Sequence, residues 1–245
     1  MQFKLVILDN AIHQLDSMEV KKLLNDLITV KQINFSKTSE HYISMDKHDM
    51  CGTHFLIYDV ENFLSPNLVL AIRTTYRSRA KQYNLNLPFD IYYEYLDDFA
   101  KNEANKFIKQ KGDLVDCNAW FVDPKYSKKN SGLDLSEIAY VGVCSYLLRQ
   151  GYDHFVGCTN EKYKASRWLE RVGEFPNNHM FFHPAVDCDH KLILMKSFSL
   201  SWLQKSFEKY EEIIEHCLEY RSEAAKVNLH QFLLDMFSNN AKRAA

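Results

Sequence analysis

The pattern of apolar and polar positions predicts a chain in which strands and helices alternate. Short apolar, β-branched runs indicate strands, and apolar residues recurring every three or four positions indicate helices. In chain order the pattern predicts a strand at 3–8, a helix from 18, a hairpin formed by 53–60 and 67–76, an irregular stretch at 77–90, a helix at 91–111, a strand at 114–122, a helix at 134–150, a strand at 154–159, a helix at 161–173 and two strands within 179–198. This order is typical of an α+β or α/β-like fold, in which helices cover a mixed sheet.

The end of the chain is predicted to form a helical extension, 200–245, attached to a first domain at 1–199. Its apolar residues recur at spacings of three and four, which is the stripe of an amphipathic helix that packs on a core or on a partner. The stripe of the first helix contains Leu203, Phe207, Tyr210, Ile214 and Cys217, and that of the second contains Leu229, Phe232, Leu233 and Met236.

Composition narrows the functional classes. The chain has 245 residues, 46% of them hydrophobic, and a net charge of −2, so it can bury one large core and has no basic excess that favours nucleic acid. Its apolar runs are shorter than the roughly 20 residues of a membrane span, and its first residues lack the pattern of a signal peptide.

Six scattered cysteines without a C-x-x-C pair indicate reduced thiols in a cytoplasmic protein, and none has the local motif of a nucleophile. The oligomeric state stays open.

The most informative stretch is the turn VDPKYSKKNSGLDLS at 122–136, which leads from a strand into a helix. A helix N-terminus carries unpaired N–H groups and a partial positive charge, and therefore favours anions. Lys128 and Lys129 add positive charge, and Asn130 and Gly132 tolerate the positive φ that such a turn often requires. The turn is either a solvated loop or a cradle for a phosphate group.

The same stretch resembles the acyl-carrier-binding motif of the GNAT superfamily of N-acyltransferases. Val122, Pro124, Tyr126, Gly132 and Leu135 stand in register with its pattern, roughly V-x-P-x-Y-R-x-x-G-x-G-x-x-L. The resemblance implies a GNAT-type mixed central sheet flanked by helices, with an acyl thioester bound at this turn.

A second stretch, CTNEKYKASRWLERVGE at 158–174, is similar to the strand and helix that follow in the family. Asn160 stands at the end of the strand, and Arg171 and Gly173 stand at the end of the helix. Together the two stretches extend the resemblance over about 50–195 of the chain.

Three positions depart from the family pattern. Ser127 replaces an Arg or Gln, Asn130 replaces the first Gly, and Leu169 replaces a Tyr that often serves as a general acid. These departures favour one alternative, a GNAT-like binding module without catalysis. A conventional acetyl-CoA N-acetyltransferase is the third reading that the resemblance allows.

Upstream, the chain is similar to one branch of the superfamily, the autoinducer (acyl-homoserine-lactone) synthases and the N-acyl amino acid synthases. Asp46 and Asp49 form a D-x-x-D pair, a strand follows, and Arg73 stands near the end of the next strand. The resemblance implies that these three residues bind the acceptor, with the carboxylates on its ammonium group and Arg73 on its carboxylate.

The branch also carries an E-x-S-R signature on the strand before the motif. Here Asp116 stands for the Glu, whereas Asn118 and Ala119 replace the Ser and the Arg. An amine acceptor other than that of the homoserine-lactone enzymes therefore fits better.

Acyl transfer to an amine requires a donor that polarises the thioester carbonyl, a base for the ammonium group and an acid for the departing thiolate. The expected catalytic residues are Asp116, Tyr126 and Tyr163. The expected donor-binding residues are Phe121, Val122, Lys128, Lys129, Asn130, Ser131, Gly132 and Leu133, and the expected acceptor-binding residues are Asp46, Asp49 and Arg73.

The sequence thus predicts an N-acyltransferase that moves an acyl group directly from acyl-CoA or acyl carrier protein to an amine, possibly an amino acid. Neither a permanent cofactor nor a metal is expected, although HPAVDCDH at 183–190 contains ligating side chains in no defined spacing. Arg77 and Arg79 are expected to contribute to a docking patch for an acidic carrier protein. The helical extension would pack on the sheet, enclose the acyl chain or form a dimer.

Overall fold

The computed structural model describes residues 2–35, 45–62, 64–161, 165–176, 179–184, 187–221 and 227–244. Its strands are β1 (Phe3–Asp9), β2 (Thr53–Asp59), β3 (Asn67–Tyr76), β4 (Val115–Val122), β5 (Phe155–Asn160), β6 (Gly173–Glu174), β7 (Met180–His183), β8 (Cys188–Met195), β9 (Ser197–Phe198) and β10 (Leu218–Tyr220). Its helices are α1 (Met18–Phe35), α2 (Lys47–Cys51), α3 (Arg77–Gln82), α4 (Pro88–Tyr93), α5 (Asp98–Lys111), α6 (Lys128–Ser131), α7 (Leu135–Arg149), α8 (Ala165–Leu169), α9 (Leu200–Lys209), α10 (Glu211–Glu215) and α11 (Leu229–Ala244).

Within the described part of the chain, eight strands form one mixed sheet in the order β10-β1-β2-β3-β4-β5-β8-β7, and β6 pairs with β9. The pairs β1–β10 and β4–β5 are parallel, and the others are antiparallel. Strand β4 lies in the interior of the sheet with antiparallel β3 on one side and parallel β5 on the other. This architecture confirms the predicted α+β fold with a mixed central sheet.

Helices cover both faces of the sheet. On one face lies α7, which is buried along most of its length, together with the apolar sides of α9, α10 and α11. On the other face, α1 packs over β1–β3 and α4 and α5 pack over β5 and β8, in two separate apolar clusters. Between these two clusters, over β3 and β4, the face carries buried polar side chains instead. The fold therefore places a polar region in the middle of one face.

Residues 77–90, predicted to be irregular, contain α3 and the start of α4, so this prediction is wrong. Both helices have six residues, which is too short for an apolar period to appear. Local chemistry begins α4, because Pro88 occupies its first turn and the Asp90 carboxylate accepts the Leu87 N–H at 3.0 Å. The predicted helix at 91–111 is likewise divided, and α5 begins only after its N-cap, Asp97.

The chain beyond residue 199 packs against the first part of the protein. Leu203, Phe207, Leu229 and Leu233 are buried in the same apolar cluster as α7. One segment differs from the predicted helices, because Leu218–Tyr220 forms β10, which extends the sheet beside β1. No helix among the described residues is long and apolar enough to cross a membrane.

A buried ion pair fixes this last part of the chain to α7. Arg149 Nη1 and Nη2 donate to the Glu219 carboxylate at 3.0 and 2.5 Å, and Arg221 Nε lies 3.0 Å from the same carboxylate. Glu219 also accepts the Leu229 N–H at 2.9 Å, so it joins α7, β10 and the start of α11. Because these side chains are about nine-tenths buried, water cannot replace the carboxylate if it is lost.

We therefore expect Glu219→Gln to lower the free energy of unfolding by about 3–5 kcal/mol, since it leaves buried guanidinium groups without an anion. Urea unfolding followed by far-UV circular dichroism measures this loss. The matched control is Glu103→Gln, which removes an ion pair with the exposed Lys106 and should lower the free energy of unfolding far less, because water solvates both charges. Equal losses in the two variants would show that the Glu219 cluster does not hold the end of the chain.

Candidate active site

Strand β4 opens in the middle of the sheet. Its central residues, Asn118, Ala119 and Trp120, are partly exposed although the strand has a neighbour on each side. Ala119 has a φ of 52°, and the register with β3 shifts at this point. A residue at positive φ in a strand marks a β-bulge, which frees local backbone groups from the ladder. The bulge therefore gives solvent access to the centre of the sheet.

The opening lies where β4 separates from β5. The two strands form a register pair at Asp116 and Val156, and no further pair among their described residues. Gly157 allows this close approach, because a Cβ on it would lie 2.6 Å from the Cys117 carbonyl oxygen. The C-terminal parts of β4 and β5 are therefore not paired with each other, and we call the gap between them the wedge.

Aromatic side chains line one side of the wedge. The Trp120 ring lies 5.2 Å from Tyr140 and 5.7 Å from Trp168, centroid to centroid, in edge-on geometry. The indole Nε1 of Trp120 is buried and has no hydrogen-bond partner in the structure. Since buried N–H groups are nearly always paired, this group is available to an acceptor that enters the wedge.

Asp116 is completely buried where the strands part. Its carboxylate accepts the Phe89 N–H at the start of α4 at 2.5 Å and the Asn118 amide at 2.8 Å. Burial raises the pKa of Asp116 to about 6, although both hydrogen bonds oppose that rise. A carboxyl group with this pKa is mostly ionised at pH 7 yet basic enough to take a proton, as a general base requires.

The three predicted acceptor-binding residues come together beside Asp116. Arg73 Nη1 donates to both Asp46 Oδ1 and Asp49 Oδ1 at 2.7 Å, and Arg73 Nε donates to Asn118 Oδ1 at 2.9 Å. Asn118 in turn donates to Asp116, so one chain of hydrogen bonds joins the D-x-x-D pair to the candidate base. The guanidinium group of Arg73 is thus already paired with carboxylates of the protein itself.

Two further residues complete this cluster. Lys31 Nζ lies 2.5 Å from Asp49 Oδ2, and both side chains are almost fully buried. Burial lowers the pKa of His54 to about 4, so its neutral ring donates Nε2–H to the Asp49 carbonyl oxygen at 2.8 Å. Arg73 and Lys31 offset the charges of Asp46 and Asp49, as buried carboxylates require.

Local sequence fixes the D-x-x-D pair at the start of α2. Asp46 caps the helix by accepting the Asp49 N–H at 3.0 Å, and the Asp49 carboxylate accepts the Asp46 N–H at 2.9 Å. This capping box explains the spacing of three residues. Asp49 is buried, whereas one-third of the Asp46 side chain is exposed. Asp46 is therefore the carboxylate of the pair that an incoming ligand meets.

Sequence reasoning missed Lys31, although a signal was present. Val20, Leu24, Leu27 and Lys31 follow one another at spacings of four, three and four residues, so Lys31 continues the apolar stripe of α1. A lysine on a buried stripe needs an anionic partner. That partner is Asp49.

The turn predicted to bind a phosphate does not present the free backbone N–H groups that were expected at residues 130–133. The N–H groups of Asn130, Ser131 and Gly132 donate to backbone carbonyls within the turn, and that of Leu133 bonds the Ser131 hydroxyl. Gly132 does adopt the positive φ expected of it, 74°. At the start of α7, Asp134 accepts the Glu137 N–H at 3.1 Å and so occupies one donor of that helix.

Positive charge at this turn therefore comes from side chains. Lys128 and Lys129 are exposed on the short helix α6, just after β4 ends. Phe121 and Val122, two of the expected donor-binding residues, pair with Ala71 and Leu70 of β3. The bulge instead lies at Ala119 and Trp120, directly before Phe121.

The structure does not bring Tyr126 to Asp116. The Tyr126 hydroxyl accepts the Asn67 amide at 3.5 Å, near the β2–β3 turn, beside a cleft of about 370 Å³. Asp116 pairs with Thr75, eight residues further along β3, which corresponds to about 26 Å at the rise of a strand. Tyr163 lies outside the described residues.

The two arginines predicted to form a docking patch are engaged in ion pairs. Arg77 Nη2 donates to Asp90 at 2.8 Å, and Arg79 Nη1 donates to Asp9 at 2.7 Å and to the Cys51 carbonyl at 3.1 Å. Each is only partly exposed. Among the described residues, which leave out 185 and 186, no group of three His, Cys, Asp or Glu side chains is placed to hold a metal ion.

Comparison with solved structures places this fold among known ones. BjaI, a CoA-dependent acyl-homoserine lactone synthase solved with SAM and isopentyl-CoA, matches with a TM-score of 0.56 and 10% identity, over 95% of this chain and 99% of that one. MesI, also a CoA-dependent acyl-homoserine lactone synthase, matches with a TM-score of 0.53 and 11% identity, over 85% of this chain and 95% of that one. FeeM, an N-acyl amino acid synthase from uncultured soil microbes, gives a TM-score of 0.49 and 13% identity, over 85% of this chain and 98% of that one.

No protein-family model and no curated protein matches the sequence. The fold is the GNAT fold, in the form that the autoinducer synthases share. At such low identity the similarity concerns the fold alone, so the chemistry has to be argued from the residues of this chain.

The raised pKa of Asp116 predicts a pH dependence of stability. A carboxyl group with an ordinary pKa of 3.8 that rises to about 6 on folding stabilises the fold below pH 4, and this contribution is lost as pH rises through 6. Relative to Asp116→Asn, which cannot titrate, the free energy of unfolding of the wild-type protein should fall by about 2 kcal/mol between pH 4 and pH 7.

Urea unfolding of both proteins at pH 4, 5, 6 and 7 measures this difference. Comparing the two pH profiles, rather than two absolute stabilities, cancels the cost of the altered hydrogen bonds to Phe89 and Asn118. Parallel profiles would mean that Asp116 has an ordinary pKa.

Proposed function

We propose that this protein is an N-acyltransferase that transfers an acyl group directly from an acyl thioester to an amine. The observation that carries the proposal is Asp116, a buried carboxylate with a pKa of about 6, placed where β4 and β5 diverge. A buried base beside an opening in the sheet suits proton abstraction from an ammonium group whose nitrogen then attacks a carbonyl. The fold that the protein shares with acyl-homoserine lactone synthases supports this reading.

The donor would enter the wedge between β4 and β5 with its thioester near the bulge. The pairing of β4 with β3 is interrupted between the Asn118 and Phe121 positions, so N–H groups at Ala119 and Trp120 lie outside the regular ladder. One of them would polarise the carbonyl oxygen, which is the largest electrostatic contribution in acyl transfer. Outside the wedge, Lys128 and Lys129 would bind the phosphate of coenzyme A or of an acyl carrier protein.

The acceptor would bind on the polar side of the opening. Asp46, with one-third of its side chain exposed, would hold the ammonium group of an amine, possibly an amino acid. Asn118 lies between Arg73 and Asp116 and would hold the base in place. Since Arg73 already pairs with Asp46 and Asp49, its first role is to position these carboxylates. A carboxylate of the acceptor would have to compete with them.

One observation favours a second candidate, a thioester-binding module without catalysis. The N–H groups at 130–133 are engaged within the turn, so the donor lacks the backbone cradle expected for the phosphate. Binding through lysines alone would be weaker and more sensitive to salt. The two candidates differ in whether Asp116 affects turnover.

Donor binding is tested by thermal and chemical stability in the presence of CoA, acetyl-CoA, long-chain acyl-CoA and acyl carrier protein. A donor at 100 times its Kd should add about 2.7 kcal/mol to the free energy of unfolding. We expect Lys128→Gln combined with Lys129→Gln to reduce this gain. Lys21→Gln with Lys22→Gln, a pair of exposed lysines on α1, should not. A panel in which no thioester stabilises the protein would contradict both candidate functions.

Catalysis is tested with Asp116→Asn. The variant should bind the stabilising thioester with unchanged affinity and lose about 10²- to 10⁴-fold in kcat with an amine panel. In the wild-type enzyme kcat/KM should rise with pH through an apparent pKa of about 6 and then level off. The control is Asp153→Asn, an exposed carboxylate. Turnover in Asp116→Asn within twofold of wild type would exclude Asp116 as the base.

A further inference from the structure

A thiol, an imidazole and an amide meet at the far end of β5. The Asn160 amide donates to Cys188 Sγ at 3.0 Å, and His190 Nδ1 lies 3.7 Å from the same sulfur. His190 Nδ1 also lies 3.2 Å from the Cys188 carbonyl oxygen. The sheet register places these side chains on one face, because Asn160 pairs with His190 and Cys188 stands two residues before it.

Cys188 is distinguished by the side chains that contact its sulfur. It is partly exposed, as are Cys158 and Cys217, but its sulfur accepts the Asn160 N–H at 3.0 Å and lies 3.7 Å from the His190 ring nitrogen. N–H donors stabilise a thiolate, and the thiolate is the reactive form.

His190 presents a second N–H donor beside the thiol, because the carbonyl oxygen of Cys188 only accepts and its contact with Nδ1 places the proton on that nitrogen. Burial lowers the pKa of both His190 and His183, whose rings lie 5.2 Å apart, so both are neutral near pH 7. The Nδ1 atom of His183 is buried and has no hydrogen-bond partner. Among the described residues, the carboxylates of Asp189 and Glu161 oppose this lowering and favour the protonated form of His190.

The cluster lies at the open end of the wedge. Strands β4 and β5 run parallel from the pair Asp116–Val156, so their C-terminal ends are at the same edge of the sheet. Asn160 is the last residue of β5 and is partly exposed, and it contacts Cys188 directly. The thiol is therefore one side chain away from the strand that bounds the proposed thioester site.

We propose that Cys188 is a nucleophilic thiol that accepts an acyl group from a thioester, which makes it a site of covalent self-acylation. The Cys188 thiol would lose its proton to water, and its thiolate, stabilised by the Asn160 N–H, would attack the carbonyl carbon. A new S–C bond to Cys188 forms, the S–C bond of the donor breaks, and the departing thiolate takes a proton from water. One thioester is exchanged for another, so no oxidant or further reactant is needed. The identity of the donor rests on the proposed function, whereas the reactivity of Cys188 does not.

The test uses a small donor, the acetyl thioester of N-acetylcysteamine, which lacks the nucleotide and the carrier protein. The full-length protein is incubated with it at pH 7 without an amine, and peptide mass spectrometry locates the acetyl group. We expect acetylation of Cys188 about tenfold faster than that of a cysteine in an unstructured peptide. His190→Gln and, independently, Asn160→Ala should each remove most of this advantage. Cys217→Ser should retain it.

Acetylation of Cys188 no faster than that of the peptide, or rates unchanged in both variants, would overturn the proposal. The wild-type measurement needs no substitution, so a variant that fails to fold does not prevent a decision. Because the small donor does not depend on Lys128 or Lys129, failure here is distinguishable from failure of the donor panel. Stabilisation by acyl-CoA without reactive Cys188 would remove the self-acylation site and leave the acyltransferase reading intact.

Discussion

The interaction on which the site depends is the pairing of Arg73 with Asp46 and Asp49. Arg73 is nearly buried in the middle of an eight-stranded sheet, where an unpaired guanidinium group would cost several kcal/mol. Its two carboxylate partners come from α2, and Lys31 of α1 balances the second of them. The pairing therefore fixes α1 and α2 over the sheet and, through Asn118, holds Asp116 at the opening. The same hydrogen-bonded cluster therefore stabilises the fold and positions the proposed base, Asp116.

Two features of β4 produce the opening: a single pair with β5 and a bulge a few residues later. Asp116 and Val156 hold β4 and β5 together at one point, while the bulge at Ala119 bends the strand away from a regular ladder. Aromatic rings on the α7 side and polar groups on the α2 side then line the two sides of the wedge. An acyl thioester has matching halves, an apolar chain and a polar carbonyl. The site thus suits acyl transfer even though the similarity to known synthases concerns the fold alone.

Much of the fold could be predicted from the sequence, because long elements carry a clear period. The hairpin of β2 and β3, the strand β4 and the helix α7 lie close to their predicted bounds. The pair Asp46 and Asp49, Arg73 and Asp116 were named from a resemblance, and the structure brings them together. The short helices α3 and α4 and the strand β10 were missed, since caps and tertiary pairing create them and their own sequences show no period.

The side-chain contacts between neighbouring strands of the sheet could not be predicted from the sequence. Nothing in the spacing of Asn160, Cys188 and His190 reveals that β5 and β8 pair and bring them together. Tyr126 stood in register with a family motif, yet the geometry of the β2–β3 turn places it at Asn67. Such contacts depend on register and strand order, which local patterns do not encode.

The most direct test of the central claim is a crystal structure with a non-hydrolysable acyl-CoA analogue. The account predicts that the analogue lies between β4 and β5, with its carbonyl oxygen within hydrogen-bond distance of an N–H group at Ala119 or Trp120. Asp116 would lie on the acceptor side of that carbonyl. An analogue bound elsewhere, such as in the cleft beside Tyr126, with the wedge empty, would contradict the account.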